Sequence, residues 1–209
     1  MVATSAQSLP ARRPQSPADT DPDVVTPPPA NRAVPEVLAS AVGMIRLLRA
    51  GRLHSPRQNI GRTLRFADGS SAAVYRETRV DDGRAAEPAL LVVGFVLRGI
   101  RGRAHVAFRV ESWLNTPMFV GFPGFASKLW MRHDESSRYR GIYEWDGAER
   151  AAAYVRALSW VLGVVSVRGS IRAHIVPGLH RDDVLARPEL LGDEGADRWW
   201  RPATPVGET

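Results

Sequence analysis

Residues 90–98, LLVVGFVLR, are apolar at odd and even positions alike, so a strand built from them can show neither face to water. Such a strand belongs inside a sheet, covered on both sides, and the residues that follow supply the rest of that sheet. Residues 102–115 carry Val106, Val110 and Trp113 at helical spacing, although Val106, Phe108 and Val110 also alternate as a strand would. Phe125 to Arg132 reads as the next strand, 133–137 as a turn, and Tyr139 to Trp145 as a returning strand. Asp146 and Glu149 stand three apart, as in a capping box, ahead of a helix with Ala151, Val155, Leu158 and Leu162 on one stripe and Gly163 at its end. Val167 to Val176 is a last strand, with Ile171, Ala173 and Ile175 opposite Ser170, Arg172 and His174. This order is β-α-β-β-α-β. Short links and right-handed crossovers fold it into a four-stranded antiparallel sheet with both helices on one face, a ferredoxin-like α+β sandwich with the doubly apolar strand inside.

The chain of 209 residues is longer than this core. Residues 1–33 hold seven prolines and few large apolar groups, and are expected to be a disordered tail. The segment 34–86 reads as a helix plus a β-hairpin. Leu38, Ala41, Ile45 and Leu48 make an apolar stripe over 35–50, with Pro35 in the first turn and Gly51 as the stop. The runs RTLRF and AAVYRETRV flank Ala67-Asp68-Gly69-Ser70, a tight reversal. The ferredoxin-like domain is then expected over 87–185. The tail 186–209 has little pattern beyond apolar pairs, of which Trp199 and Trp200 can clip onto the core.

Composition narrows the chemistry. There is no cysteine, which excludes disulfides, thiolate nucleophiles and Cys-based metal sites. The five histidines lie far apart, without HxH, HxxH or HExxH spacing, and neither a P-loop nor G-x-S-x-G occurs. The expectation is no metal and no cofactor. No run approaches a membrane span and the N-terminus lacks a signal-peptide apolar region, so a cytoplasmic protein is expected. The net charge is +6, with a sequence pI near 10.6, but Lys128 is the single lysine among 28 Lys and Arg residues. That bias reads as a solvated arginine surface before it reads as an anion-binding one.

One face of the four-stranded sheet carries no helix. If it presents Leu and Val from the first strand and Trp130 from the second, it is too apolar for water. Either a second copy covers it, giving a two-fold homodimer, or the segment 34–86 does.

From Pro123-Gly124-Phe125 onward the chain resembles the YdhR-type mono-oxygenases. The resemblance is carried by that PGF, by Lys128 and Trp130, by Gly141-Ile142-Tyr143, and by Ala153-Tyr154. It spans about residues 90–185. It implies a dimeric α/β barrel, a pocket between sheet and helices, and oxygenation of a small aromatic or polyketide-like compound.

Oxygenation without a cofactor needs an electron-rich substrate, a group that holds its anion, and a dry pocket. Asn115 and Tyr143 can hydrogen-bond a phenolate-like oxygen, and His133 can move a proton. Trp113, Phe119, Phe122, Phe125 and Trp130 are the expected substrate walls. Each has a plainer reading as core, interface, cap or solvated turn. A non-catalytic dimer that binds a small hydrophobic ligand fits the same residues. An RNA-recognition domain shares the element order, and Arg140-Gly141 opens its third strand suitably. The stacking positions then hold Ile142 and Glu144, and a carboxylate there repels phosphate, which argues against nucleic acid.

Overall fold

The structure, a computed structural model, describes residues 21–99, 120–193 and 198–203. In chain order the described elements are helix α1 (Ala30–Arg49), strands β1 (Leu53–His54), β2 (Thr63–Arg65), β3 (Ser71–Val80), β4 (Pro88–Val96), β5 (Phe125–Met131) and β6 (Arg138–Asp146), helix α2 (Ala148–Val165), strand β7 (Arg172–Pro177), helix α3 (Arg181–Ala186) and a 3-10 turn (Pro188–Leu191). The expected helix over 102–115 lies outside the described residues. The remaining elements of the ferredoxin-like order are in place. The strands run antiparallel in the order β7-β4-β6-β5, with LLVVGFV between two neighbours as its double apolarity demands. Leu90, Leu91 and Val92 are fully buried.

The hairpin does more than decorate this sheet. β2 pairs with the first half of β3, Thr63 opposite Ala73 and Arg65 opposite Ser71. β3 then bulges between Val74 and Arg76, and its second half pairs with β5, adding a strand to the sheet. The bulge lets one ten-residue strand serve two partners. Leu53 and His54 close the edge against Val80 and Arg79, a pairing too short to show in the sequence.

One face of the sheet is covered by helices. Ala89, Leu91, Val93, Tyr143 and Trp145 pack under Ala151, Tyr154, Val155, Leu158 and Leu162 of α2 and Met44 of α1. The stripe expected on α2 is therefore the buried one. Its capping box does not form, because the N-cap is Gly147 at φ +98°. Asp146 instead accepts the Glu87 N–H at 2.9 Å and pairs with Arg150 at 2.6 Å, tying the helix start to the entry of β4. In α1 the expected stripe is not the buried one. Ser40 and Met44 face the core while Leu38, Ile45 and Leu48 are exposed, and the helix starts five residues ahead of Pro35. Gly43 decides this rotation. Its Cα backs onto the Gly121 carbonyl so closely that a Cβ on either residue would collide with the other segment's backbone.

The helix-free face is covered as well, and by the same chain. Leu90, Val92, Leu129, Met131 and Ile142 lie beneath Leu64 and Phe66 of the hairpin, Val184 and Leu185 of α3, Leu191, Trp199 and Trp200. Of the two expected covers, a second copy or the segment 34–86, a second copy finds no bare face here to hide. The hairpin expected as the alternative cover supplies part, and the C-terminal segment supplies the rest. Polar anchors hold that segment. Arg181 donates to Glu77 at 2.7 Å; Arg140 donates to the Trp199 carbonyl at 3.2 Å; Trp199 Nε1 donates to Asp23 at 2.9 Å. Asp23 lies within the stretch expected to be disordered. Residues 23–25 instead pair with the start of β7, with Val25 N–H donating to the Ile171 carbonyl and Ala173 N–H to the Asp23 carbonyl. An edge strand offers unpaired backbone groups, and even a proline-rich segment can meet some of them.

Candidate functional site

The sheet places a group of chemically distinctive side chains on the helix-covered face where β3, β5 and β6 meet. Register pairs Thr78 with Lys128, Lys128 with Tyr143, Arg76 with Trp130, and Trp130 with Gly141. Cross-strand partners share a face, so Arg76, Thr78, Lys128, Trp130 and Tyr143 project together. All five are buried.

Trp130 is the platform. Its indole N–H donates to Thr78 Oγ1 at 3.0 Å, which fixes the ring. Lys128 Nζ lies 3.2 Å from the centre of that ring and 4.6 Å from the centre of Tyr143, while the Arg76 guanidinium carbon lies 3.9 Å above Trp130. Aromatic faces attract cations, and more strongly once water is removed. Burial pushes the Lys128 ammonium well below its usual pKa of 10.5, and the Arg76 charge adds to the shift. Burial also lowers Arg76, to about 10.

Tyr143 and Tyr154 extend the group toward α2. Tyr154 Oη donates to Tyr143 Oη at 3.2 Å, and burial raises both phenols above their usual range, so both stay neutral hydrogen-bonding groups. Glycine at 141 makes room. A Cβ there would meet the Tyr143 ring at 2.8 Å, so the tyrosine folds back over the strand beside Trp130 only because position 141 is bare. Tyr154 is also an aromatic hub, with centroids 5.5 Å from Phe122, 5.4 Å from Tyr143 and 4.7 Å from Trp145, and Phe125 closes edge-on to Trp145 at 5.6 Å. A cleft of about 610 Å3 opens beside Phe122, Phe125 and Ala126, between the end of α1 and the 81–86 loop.

Of the residues expected at a site, Tyr143 and Trp130 meet through Lys128, and Phe122 and Phe125 join them through Tyr154 and Trp145. His133 does not. It sits on the turn after β5, with its ring 5.6 Å from Tyr139 and Nδ1 3.1 Å from the Asp134 carbonyl. Tyr139 is four residues from Tyr143, about 13 Å along the strand. Asn115, Trp113 and Phe119 lie outside the described residues. Sequence reasoning did not single out Arg76 or Thr78, which reach the site because β3 adds to β5. It quoted Lys128 and Tyr154 without giving them a role. The signal for Lys128 was available, since it is the one lysine of the chain and stands within an apolar strand. Ile142 and Glu144 lie on the opposite face, buried beneath the C-terminal segment.

Among the described residues no three His, Asp or Glu side chains converge as metal ligands, and no helix is long and apolar enough to cross a membrane. No family profile matches the chain, and no curated protein does. Among solved structures it is similar to an uncharacterised ferredoxin-fold protein related to antibiotic biosynthesis monooxygenases from Listeria monocytogenes 4b F2365. The identity is 14% and the TM-score 0.38, over 54% of this chain and 66% of that one. Strand order and covering layers make the present protein a ferredoxin-like α+β sandwich, with an added strand and its own C-terminal cover.

Proposed function

We propose that the Lys128–Trp130–Tyr143 face binds a small aromatic or polyketide-like compound and oxygenates it without a cofactor, as the YdhR-type resemblance implies. The observation that carries this reading is the buried Lys128 amine lying between the Trp130 and Tyr143 rings, with Arg76 on the same indole. The Lys128 amine takes the proton of a phenol or enol. The resulting oxyanion sits against the Arg76 cation and accepts a hydrogen bond from Tyr143. The anion supplies the electrons to dioxygen. A CH2 becomes C=O, and the second oxygen atom leaves as water. The proton role expected of His133 thereby passes to Lys128. Phe122 and Phe125 form the apolar wall by which the ligand enters from the cleft. A homodimer, which the same resemblance implies, has to use a surface other than the helix-free face of the sheet.

Oxygen uptake with a panel of quinols and polyphenols tests the reading. Uptake with one oxygen atom gained by the product is expected, reduced by about 10²–10⁴ in Lys128→Met. Saturable binding of the same compounds with no uptake assigns a non-catalytic ligand-binding protein. Neither binding nor uptake removes the site altogether.

A further inference from the structure

The structure assigns Lys128 as a covalent amine nucleophile that condenses with a carbonyl-bearing ligand to form an imine. This rests on reading the Lys128 cluster as a ligand site, and not on the oxygenase chemistry. Four observations carry it.

The first is residue choice. The chain uses arginine wherever a surface cation is needed and keeps lysine once, at a buried position. A guanidinium is as good a partner for an aromatic ring as an ammonium, and in this site Arg76 already fills that role on Trp130. What arginine does not offer near neutral pH is a deprotonated nitrogen.

The second is the neighbour. Arg76 and Lys128 share one indole, and a cation beside a desolvated lysine favours its neutral, nucleophilic form. The third is the floor beneath the amine. Trp130, fixed by Thr78, and Tyr143, set by Gly141, hold their rings against Nζ and give the amine an apolar surround that keeps water from it. The fourth is a proton donor. Tyr143 is a neutral phenol whose ring centre is 4.6 Å from Nζ, and its oxygen accepts from Tyr154.

The step balances without any further reactant. The Nζ lone pair attacks the carbonyl carbon to give a carbinolamine. Tyr143 protonates the departing hydroxyl, the C–O bond breaks, water leaves, and the amine proton returns to Tyr143 as C=N forms. With a β-dicarbonyl ligand the imine rearranges to a conjugated enaminone, so the class of ligand that would be held longest is a β-dicarbonyl, the repeating motif of polyketide-like compounds.

A single lysine makes the test clean. The full-length protein is incubated under nitrogen with acetylacetone, and separately with benzoylacetone. The near-ultraviolet band of an enaminone is expected, at one per chain, with a mass gain of one diketone less one water located at Lys128. Formation should be about tenfold or more faster than with N-acetyl-lysine amide, since each unit of lowered amine pKa raises the neutral fraction about tenfold. Lys128→Arg, checked for a native circular dichroism spectrum, should show no band. An adduct found only on the N-terminal amine, or at the rate of the free amine, overturns the assignment on the wild-type protein alone. Saturable benzoylacetone binding by calorimetry without an adduct removes the nucleophile and leaves the ligand site standing. Neither binding nor an adduct removes both. Because the experiment contains no oxygen, its failure is distinct from failure of the oxygenase reading.

Discussion

Arg181 donates a 2.7 Å hydrogen bond to Glu77 across 104 residues of chain, and neither side chain touches water. Glu77 also accepts from Arg79 at 2.6 Å and from Asn59 at 2.8 Å, while the Arg181 backbone N–H donates to Glu144 at 3.0 Å. The short helix α3 is thus fastened to two different strands at its first residue. Arg181→Met removes one partner and leaves Glu77 buried with its charge under-compensated. A loss of about 3–5 kcal/mol is expected in urea unfolding. The double variant Glu77→Gln/Arg181→Met should recover part of it. A loss in the double variant equal to the sum of the two single losses would mean the pair is not coupled.

Trp200 seals the other end of the same cover. It is buried, and its ring stacks on His174 with centroids 3.9 Å apart. Trp200→Ala should cost about 3–5 kcal/mol. It also uncovers Leu90 and Val92 of the central strand, so light scattering should show concentration-dependent association absent from the wild type. A variant that keeps the wild-type mass at all concentrations would place the seal elsewhere.

Gly141→Ala tests the site without touching a polar group. The added methyl meets the Tyr143 ring at 2.8 Å from a strand that cannot retreat. An overpacking cost of about 1–3 kcal/mol is expected. Ligand binding should fall further than that loss of stability explains, because Tyr143 must leave its place beside Trp130. Unchanged binding would detach the ligand site from Tyr143.

Lys128 gives stability a definite slope with pH. Its amine titrates well below 10.5 when folded, owing to burial and then to Arg76, and near 10.5 when unfolded. Between those two values the unfolded chain binds more protons, so stability rises with pH across that window and levels off above it. Arg76, lowered to about 10, adds a similar rise only from about pH 10 upward. Urea unfolding of wild type and Lys128→Met at several pH values from 7 to 10 should show the wild type gaining on the variant as pH increases. Parallel curves would mean that the folded protein leaves the Lys128 pKa unshifted.

Much of the fold is written locally. The doubly apolar 90–98, the strands read from Phe125 and from Tyr139, the stripe Ala151–Leu162 and the Asp-Gly turn all lead to the elements observed, because burial period and turn chemistry are properties of neighbouring residues. The departures occur where distant parts compete. Asp146 is a good N-cap by sequence, yet the Glu87 N–H and Arg150 claim its carboxylate. The α1 stripe reads as a core face, yet close approach of Gly43 to Gly121 turns the helix so that Ser40 and Met44 face inward. The site divides in the same way. The aromatic character of Trp130 and Tyr143 was legible, whereas Arg76 and Thr78 join them through a pairing of β3 with β5 that no local pattern encodes.

The sequence by itself determined that LLVVGFV is a strand buried on both faces, since apolar residues at odd and even positions leave neither side fit for water. It also determined that any lysine chemistry must be at residue 128. Only the tertiary structure decided what covers the helix-free face and what surrounds that lysine. Both depend on contacts between segments tens of residues apart, which are selected by the packing and charge balance of the whole chain rather than by the period of any part of it.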